Sequence, residues 1–244
     1  DAGIMWPALI DYLLTSQVGR LSQWGIAQKQ TGADRLTIGG ALSANVHGRG
    51  LRMKPFIADV ESFVVVDARG DARTCSRTEN AELFRLAIGG YGLFGAISTV
   101  RLRLIPRQKI ERVVEVRTID DLPAAFDRRI ADGCIFGDFQ FSVDERSDDF
   151  RKGVFSCYRP VGPDTPMPAV QRELVDEDWH ALLLLAHTNK STAFDQYAKY
   201  YVSTSGQVYW SDSQLSAAYV DNYHADIDRA TGARVPGSEM ITEI

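Results

Sequence analysis

With 244 residues, 45% of them hydrophobic, the chain is long enough to bury one large core or two modest ones. Its 27 basic and 32 acidic residues are interspersed and sum to a net charge of −5, which excludes a dedicated nucleic-acid surface, where phosphate neutralisation requires clustered Lys and Arg. The longest apolar run, Ala181–Ala186, is far short of the roughly 20 residues that a bilayer-spanning helix requires.

No basic-then-apolar leader opens the chain, and three dispersed cysteines, Cys75, Cys134 and Cys157, suit neither a disulfide framework nor a zinc site. A cytoplasmic protein without a metal is therefore expected. His180, His187 and His224 are dispersed and lack ligand spacing, which gives the same expectation. The chain opens on Asp1 and stops within the apolar alternation Met240–Ile244, so it reads as part of a longer one.

In chain order, apolar residues at helical spacing predict a short helix over Trp6–Leu14, and a loop rich in Gln, Thr and Gly follows to Asp34. The β-branched run Val60–Asp67, the turn Ala68–Asp71 and the return Ala72–Ser76 predict a hairpin. Thr78 or Asn80 then caps a helix that ends at Gly89-Gly90. Ala96–Ile105 alternates as a half-buried strand closed by Pro106. A strand at Glu111–Arg117 leads to a helix capped by Asp and opened by Pro123, and strands follow at Phe136–Val143 and Gly153–Tyr158. A Pro-rich stretch to Pro168 precedes a helical tail, Trp179–Tyr201, and a short aromatic segment, Gly206–Trp210.

The segment Leu36–Gly50, LTIGGALSANVHGRG, is dense in residues that let a backbone approach a ligand. Paired glycines accept positive φ and present bare N–H groups, and Thr37, Ser43 and Asn45 add short polar side chains. It lacks the lysine of a P-loop and the spacing of a dinucleotide fingerprint. Spacing alone leaves two readings open, a Gly-rich turn in an ordinary fold and a nucleotide site of another kind.

The stretch TIGGALSANVHGRG resembles the flavin-binding segment of the vanillyl-alcohol-oxidase superfamily, the PCMH-type FAD-binding proteins, with a T-x-G-G start and a following H-G-(K/R). Its N-V-H-G-R form resembles the branch that includes decaprenylphosphoryl-ribose oxidase. A second block, Arg77–Ile97, with the glycine turn GGYGLFG, resembles the helix, turn and strand that close the family's FAD domain. The resemblance implies an α+β chain: the C-terminal part of a PCMH-type FAD-binding domain over residues 1–106, then an α+β substrate domain with an antiparallel sheet over 107–244. The family's upstream loop of the form R-G-x-G-x-S has no counterpart in these residues, so the half of the FAD site around the isoalloxazine and ribityl chain is what remains.

The resemblance further implies noncovalent FAD, with contacts from Thr37, Gly39, Gly40, Ser43, Asn45, His47 and Gly48 and from Gly92, Gly95 and Ile97 in the second block. His47 is expected to orient a substrate hydroxyl or take its proton, and Arg49 to stabilise negative charge on reduced flavin or hold an anionic substrate. Gln140 and Glu243, polar residues on apolar strands, are expected to line the substrate pocket. The expected reaction is oxidation of a CH–OH group of a polyol, sugar or related small molecule by hydride transfer to flavin N5, as an oxidase or dehydrogenase. Two rivals remain: a flavin reductase component, separated by assaying hydrogen peroxide against an artificial acceptor, and a catalytically silent structural or interaction module, which would be colourless.

Overall fold

The computed structural model describes residues 1–215, 220–221 and 223–232, and the backbone of 241–243. The chain forms two compact units, Asp1–Gln108 with Trp210–Ala217, and Lys109–Tyr209 with Ala218–Ile244. Among the described residues no helix is long and apolar enough to cross a membrane.

The first unit opens on helix α1, Trp6–Ser16, with Pro7 in its first turn, where its missing N–H costs no hydrogen bond. Trp6 is fully buried and meets Phe56 edge to face at 5.2 Å. A two-residue strand β1, Trp24–Gly25, follows, and then the short helix α2, Ile38–Ser43. The hairpin forms as β2, Val60–Val66, and β3, Ala72–Ser76. Asp67 closes its turn, accepting from the N–H groups of Arg69 and Asp71, and Gly70 takes the left-handed φ of +87°. Val60, Phe63 and Val65 are buried; the break in strict alternation follows from register shifts at Val60/Ser62 and Val64/Val65.

Helix α3, Ala81–Ala87, stacks Phe84 on Phe63 at 5.0 Å. Its capping departs from expectation. Asn80 precedes the helix in the left-handed region, φ 45°, and its amide is drawn to the Thr74 carbonyl instead of the helix N–H groups. β4, Ala96–Leu102, pairs with β2 to complete an antiparallel sheet of order β3-β2-β4, and β5, Ile105–Pro106, pairs with β1. Arg107 bonds both oxygens of Asp212 at 2.7 and 2.9 Å and Gln23 at 2.8 Å, and lies over the Trp210 ring at 4.7 Å. This tie returns the segment after Trp210 to the first unit although the rest of the second unit intervenes in sequence.

The second unit is a five-stranded antiparallel sheet formed by β6, Lys109–Thr118; β7, Phe136–Ser142; β8, Lys152–Pro160; β9, Val208–Trp210; and β10, Ile241–Glu243, in the order β10-β7-β8-β6-β9. Successive side chains of β8 point to opposite faces, and both are covered. On one face Phe155 meets Phe126 of α4, Leu122–Ala131, at 4.8 Å. On the other, Val114 and Val154 pack against Leu182 of α5, Asp176–Thr188, and Phe194, Tyr197 and Ala198 of α6, Lys190–Ser203. This double cover explains why β8 is buried without interruption over residues 153–158.

Two local expectations change here. The helical tail is two helices, broken at Asn189, whose extended backbone (φ −154°) ends α5 while its side chain accepts the Thr192 N–H and starts α6. At α4, Asp121 makes no cap bond and instead pairs with Arg117 and Arg128. A last helix, α7, covers Tyr223–Thr231.

Candidate functional site

Leu36–Gly50 does not form an open glycine loop. Thr37, extended at φ −75° and ψ 156°, accepts the Gly40 N–H on its hydroxyl at 3.1 Å and so starts α2, which places Gly39 and Gly40 inside a helix. Neither glycine has positive φ and neither presents a bare N–H, because the Gly39 N–H donates to the Ala2 carbonyl at 2.8 Å. The physical reason is close packing. A Cβ on Gly39 would lie 3.0 Å from the Ala2 side chain and 3.3 Å from the Ile97 carbonyl oxygen. Gly40 is exposed, and a Cβ there would meet only the Thr37 hydroxyl, at 3.1 Å.

After α2 the chain turns at Asn45, which is exposed and left-handed at φ 48°, an ordinary conformation for Asn. His47 is exposed, with Nδ1 3.3 Å from the Gly48 carbonyl oxygen. A carbonyl can only accept, so Nδ1 carries the proton and Nε2 is the basic nitrogen. The glycine at position 48 is required by proximity: a Cβ would come within 2.6 Å of the Lys29 carbonyl oxygen. Arg49 reaches back to the same stretch, Nε donating to the Thr31 hydroxyl at 2.9 Å.

Beneath this loop lies an ion pair that sequence reading missed. Lys29 is 1% exposed, its ammonium paired with Asp34 and bonded to the Gln30 carbonyl at 3.1 Å. A lysine in a stretch of Gln, Thr and Gly reads as solvated. The one available signal was Asp34, five positions on in the same loop.

Burial pushes the Lys29 ammonium below its ordinary value of 10.5, against the upward pull of Asp34 and with Arg49 adding to the downward shift. Between the folded and unfolded values the unfolded chain binds more protons, so the Lys29 contribution to stability rises with pH across a window that closes at 10.5. In a denaturant series, the wild type is expected to gain stability relative to Lys29→Met as pH climbs toward 10.5. A difference that stays flat or falls would contradict a depressed ammonium.

The two sequence blocks, separate in the chain, meet along their backbones. The Gly89 N–H donates to the Leu42 carbonyl at 3.3 Å and the Tyr91 N–H to the Ser43 carbonyl at 3.1 Å, while the Ala2 N–H donates to the Ser98 carbonyl at 2.9 Å. Thr37, Gly39, Gly40, Ser43 and Asn45 are thereby brought beside the turn that carries Gly92 and the strand start that carries Ile97. Gly92, φ +79°, stands in open space, whereas Gly95, φ +128°, has a packing reason of its own: a Cβ would lie 2.5 Å from the Val66 carbonyl oxygen. Tyr91 and Leu93, on the same turn, are 79% and 85% exposed, so the bare edge of this junction carries apolar as well as polar groups.

Gln140 and Glu243 are Cα partners on β7 and β10 of the second unit. Gln140 is half-buried on the sheet face it shares with Val154; the Glu243 side chain lies outside the described residues. An open groove of about 600 Å³ lies elsewhere in the first unit, lined by Lys54, Ile57, Val60, Glu61, Arg77 and Arg103. Arg77 spends its guanidinium on the carbonyls of Val60 and Ile57, at 2.7 and 3.0 Å, and Arg103 on Asp59 at 3.0 Å.

No family model matches the chain. It is similar to cytokinin dehydrogenases: 41% identical over 100 residues to cytokinin dehydrogenase 9 of Oryza sativa subsp. japonica, covering 40% of this chain and 19% of that protein. Cytokinin dehydrogenase 3 of the same organism is 37% identical over 126 residues, 51% of this chain and 22% of the relative. Cytokinin dehydrogenase 1 of Arabidopsis thaliana is 34% identical over 96 residues, 38% and 17% of the two chains. The chain thus spans about a fifth of the length of these relatives. The similarity supports the FAD-binding PCMH-type oxidoreductases as a class and lends no support to the branch containing decaprenylphosphoryl-ribose oxidase.

Proposed function

We propose that this chain carries the isoalloxazine and ribityl half of an FAD site, within an FAD-dependent oxidoreductase. The observation that carries the reading is the junction of Leu36–Gly50 with Gly89–Ile97 through main-chain hydrogen bonds. It leaves Gly40, Asn45, His47 and Gly92 exposed, and glycine positions with short polar side chains fit a planar, hydrogen-bonding ligand. Thr37 and Gly39 hold α2 in place, Ser43 and Ile97 present main chain to the junction, and Gly48 keeps the His47 loop against Lys29. Gly95 sets the entry into β4.

FAD, held noncovalently, supplies the hydride acceptor. His47, with Nε2 basic, takes the substrate proton or holds the donor atom in line, and Arg49 places positive charge at the edge of the site. In this reading residues 1–106 are the cofactor domain and 107–244, which carry Gln140 and Glu243, the substrate domain. The relatives are named as cytokinin dehydrogenases, and the similarity lends no support to the CH–OH donor of a polyol or sugar.

Gly40→Val tests the cofactor assignment. In the full-length protein the added side chain would occupy the exposed face of α2, and we expect loss of the flavin absorbance bands with the fold retained, since a Cβ there meets only the Thr37 hydroxyl. A Gly40→Val protein that keeps its flavin at wild-type stoichiometry would remove this face from the site, and a colourless wild type would overturn the proposed function as a whole.

A further inference from the structure

A second candidate site is the open groove of the first unit, whose volume of about 600 Å³ lies in the range of small-molecule sites. Its basic residues come from three separate stretches: Lys54 precedes the one-turn 3-10 helix Phe56–Asp59, Arg77 follows β3, and Arg103 follows β4. Apolar residues, among them Pro55, Ile57 and Ala58, share the lining. None of these residues belongs to Leu36–Gly50 or Gly89–Ile97, so the groove is independent of the flavin reading.

What separates this lining from scattered surface charge is that buried or main-chain partners fix each cation in place. The Arg77 guanidinium donates to the Val60 and Ile57 carbonyls and lies 5.5 Å from the Phe84 ring centroid. Those bonds take two of its five N–H donors, and neutral carbonyls leave its charge uncompensated. Gln28, 4% exposed, donates from Nε2 to the Lys54 carbonyl at 2.7 Å and to Asp59 Oδ2 at 2.9 Å, which pins the main chain at Lys54. The Lys54 ammonium itself is exposed and has no hydrogen bond or ion pair among the described residues. Arg103 neutralises the buried Asp59 through Oδ1 at 3.0 Å, and its main-chain N–H donates to the Asp59 carbonyl at 2.8 Å. Glu61 is the acid in the lining, exposed and likewise without a partner among the described residues. Lys54 and Arg77 thus outweigh Glu61, in a chain whose net charge is −5.

We propose that this groove binds a small molecule that carries a phosphate or carboxylate group on an apolar body. Arg77 supplies a fixed, planar set of remaining donors that matches the oxygens of either group, and Lys54 supplies a second charge on a flexible stem. The apolar body is removed from water against Pro55, Ile57 and Ala58. Glu61 opposes a second negative charge on the ligand.

Calorimetric titration of the full-length protein with phenyl phosphate at low ionic strength is expected to show one saturable site that weakens as salt is added. Lys54→Met should weaken it about 10-fold, the scale of one charge-assisted hydrogen bond, and Glu61→Gln should tighten it. Both side chains are exposed and unpartnered among the described residues, so neither variant disturbs the fold. Benzoate separates the two anions, since the probe that binds more tightly identifies the group. No saturation by about 10 mM phenyl phosphate, equal binding of the neutral analogue benzyl alcohol, or wild-type affinity in Lys54→Met would each overturn the site. The titration reads the groove whether or not the protein carries flavin.

Discussion

Replacing His47 by alanine is expected to slow substrate reduction of the bound flavin about 10²-fold, the scale of losing a positioned general base, while FAD stays bound. The separation of effects follows from how the loop is held. His47 contributes an exposed ring whose hydrogen bond is local, Nδ1–H to the Gly48 carbonyl at 3.3 Å, so its removal leaves the main-chain junction of Leu42 and Ser43 with Gly89 and Tyr91 intact. The ring's Nε2 is what disappears. Rapid mixing under anaerobic conditions reads the flavin reduction rate directly, and the absorbance of the resting variant reads cofactor retention. A rate near that of the wild type would take His47 out of the proton-transfer role; a colourless variant would make it a cofactor ligand first.

The largest stability effect is expected at Asp34→Ala. The pair it breaks has side-chain exposures of 0% for Lys29 and 10% for Asp34, and removing one partner leaves an ammonium buried with the Gln30 carbonyl as its remaining described hydrogen-bond partner. Uncompensated buried charges of this kind cost about 3–5 kcal/mol, whereas exposed pairs are worth about 0–1 kcal/mol. The Lys29 carbonyl abuts Gly48, so the loss should also loosen the loop that carries His47 and lower FAD retention. The double variant Asp34→Ala/Lys29→Met should recover much of the deficit, because an apolar replacement of a whole buried pair is often neutral or better. Denaturant unfolding of wild type, both single variants and the double gives the coupling directly. A cost below about 1 kcal/mol for Asp34→Ala would mean that solvent reaches Lys29.

Features decided by neighbours in the chain were legible without coordinates. The hairpin over Val60–Ser76 follows from a β-branched run and a turn that Asp67 and Gly70 close by themselves. The strand at Ala96–Leu102 and the helix with Pro123 in its first turn are similarly local. The motif TIGGALSANVHGRG pointed to the FAD-binding class through resemblance, and the similarity to cytokinin dehydrogenases supports that class and lends no support to the branch or the CH–OH donor expected from the sequence.

Tertiary structure decided whatever depended on contacts between distant residues. Gly39 and Gly40 became helical because Ala2 and the Ile97 carbonyl crowd one of them and the Thr37 hydroxyl caps the other, partners that periodicity cannot supply. Lys29 is buried because the Gly48 loop closes over its backbone, and Arg107 finds Asp212 across 105 positions. Local propensity acts over a few residues, whereas burial and charge pairing act through space, and in this chain the groups that shape the candidate sites are held mainly by the second kind of force.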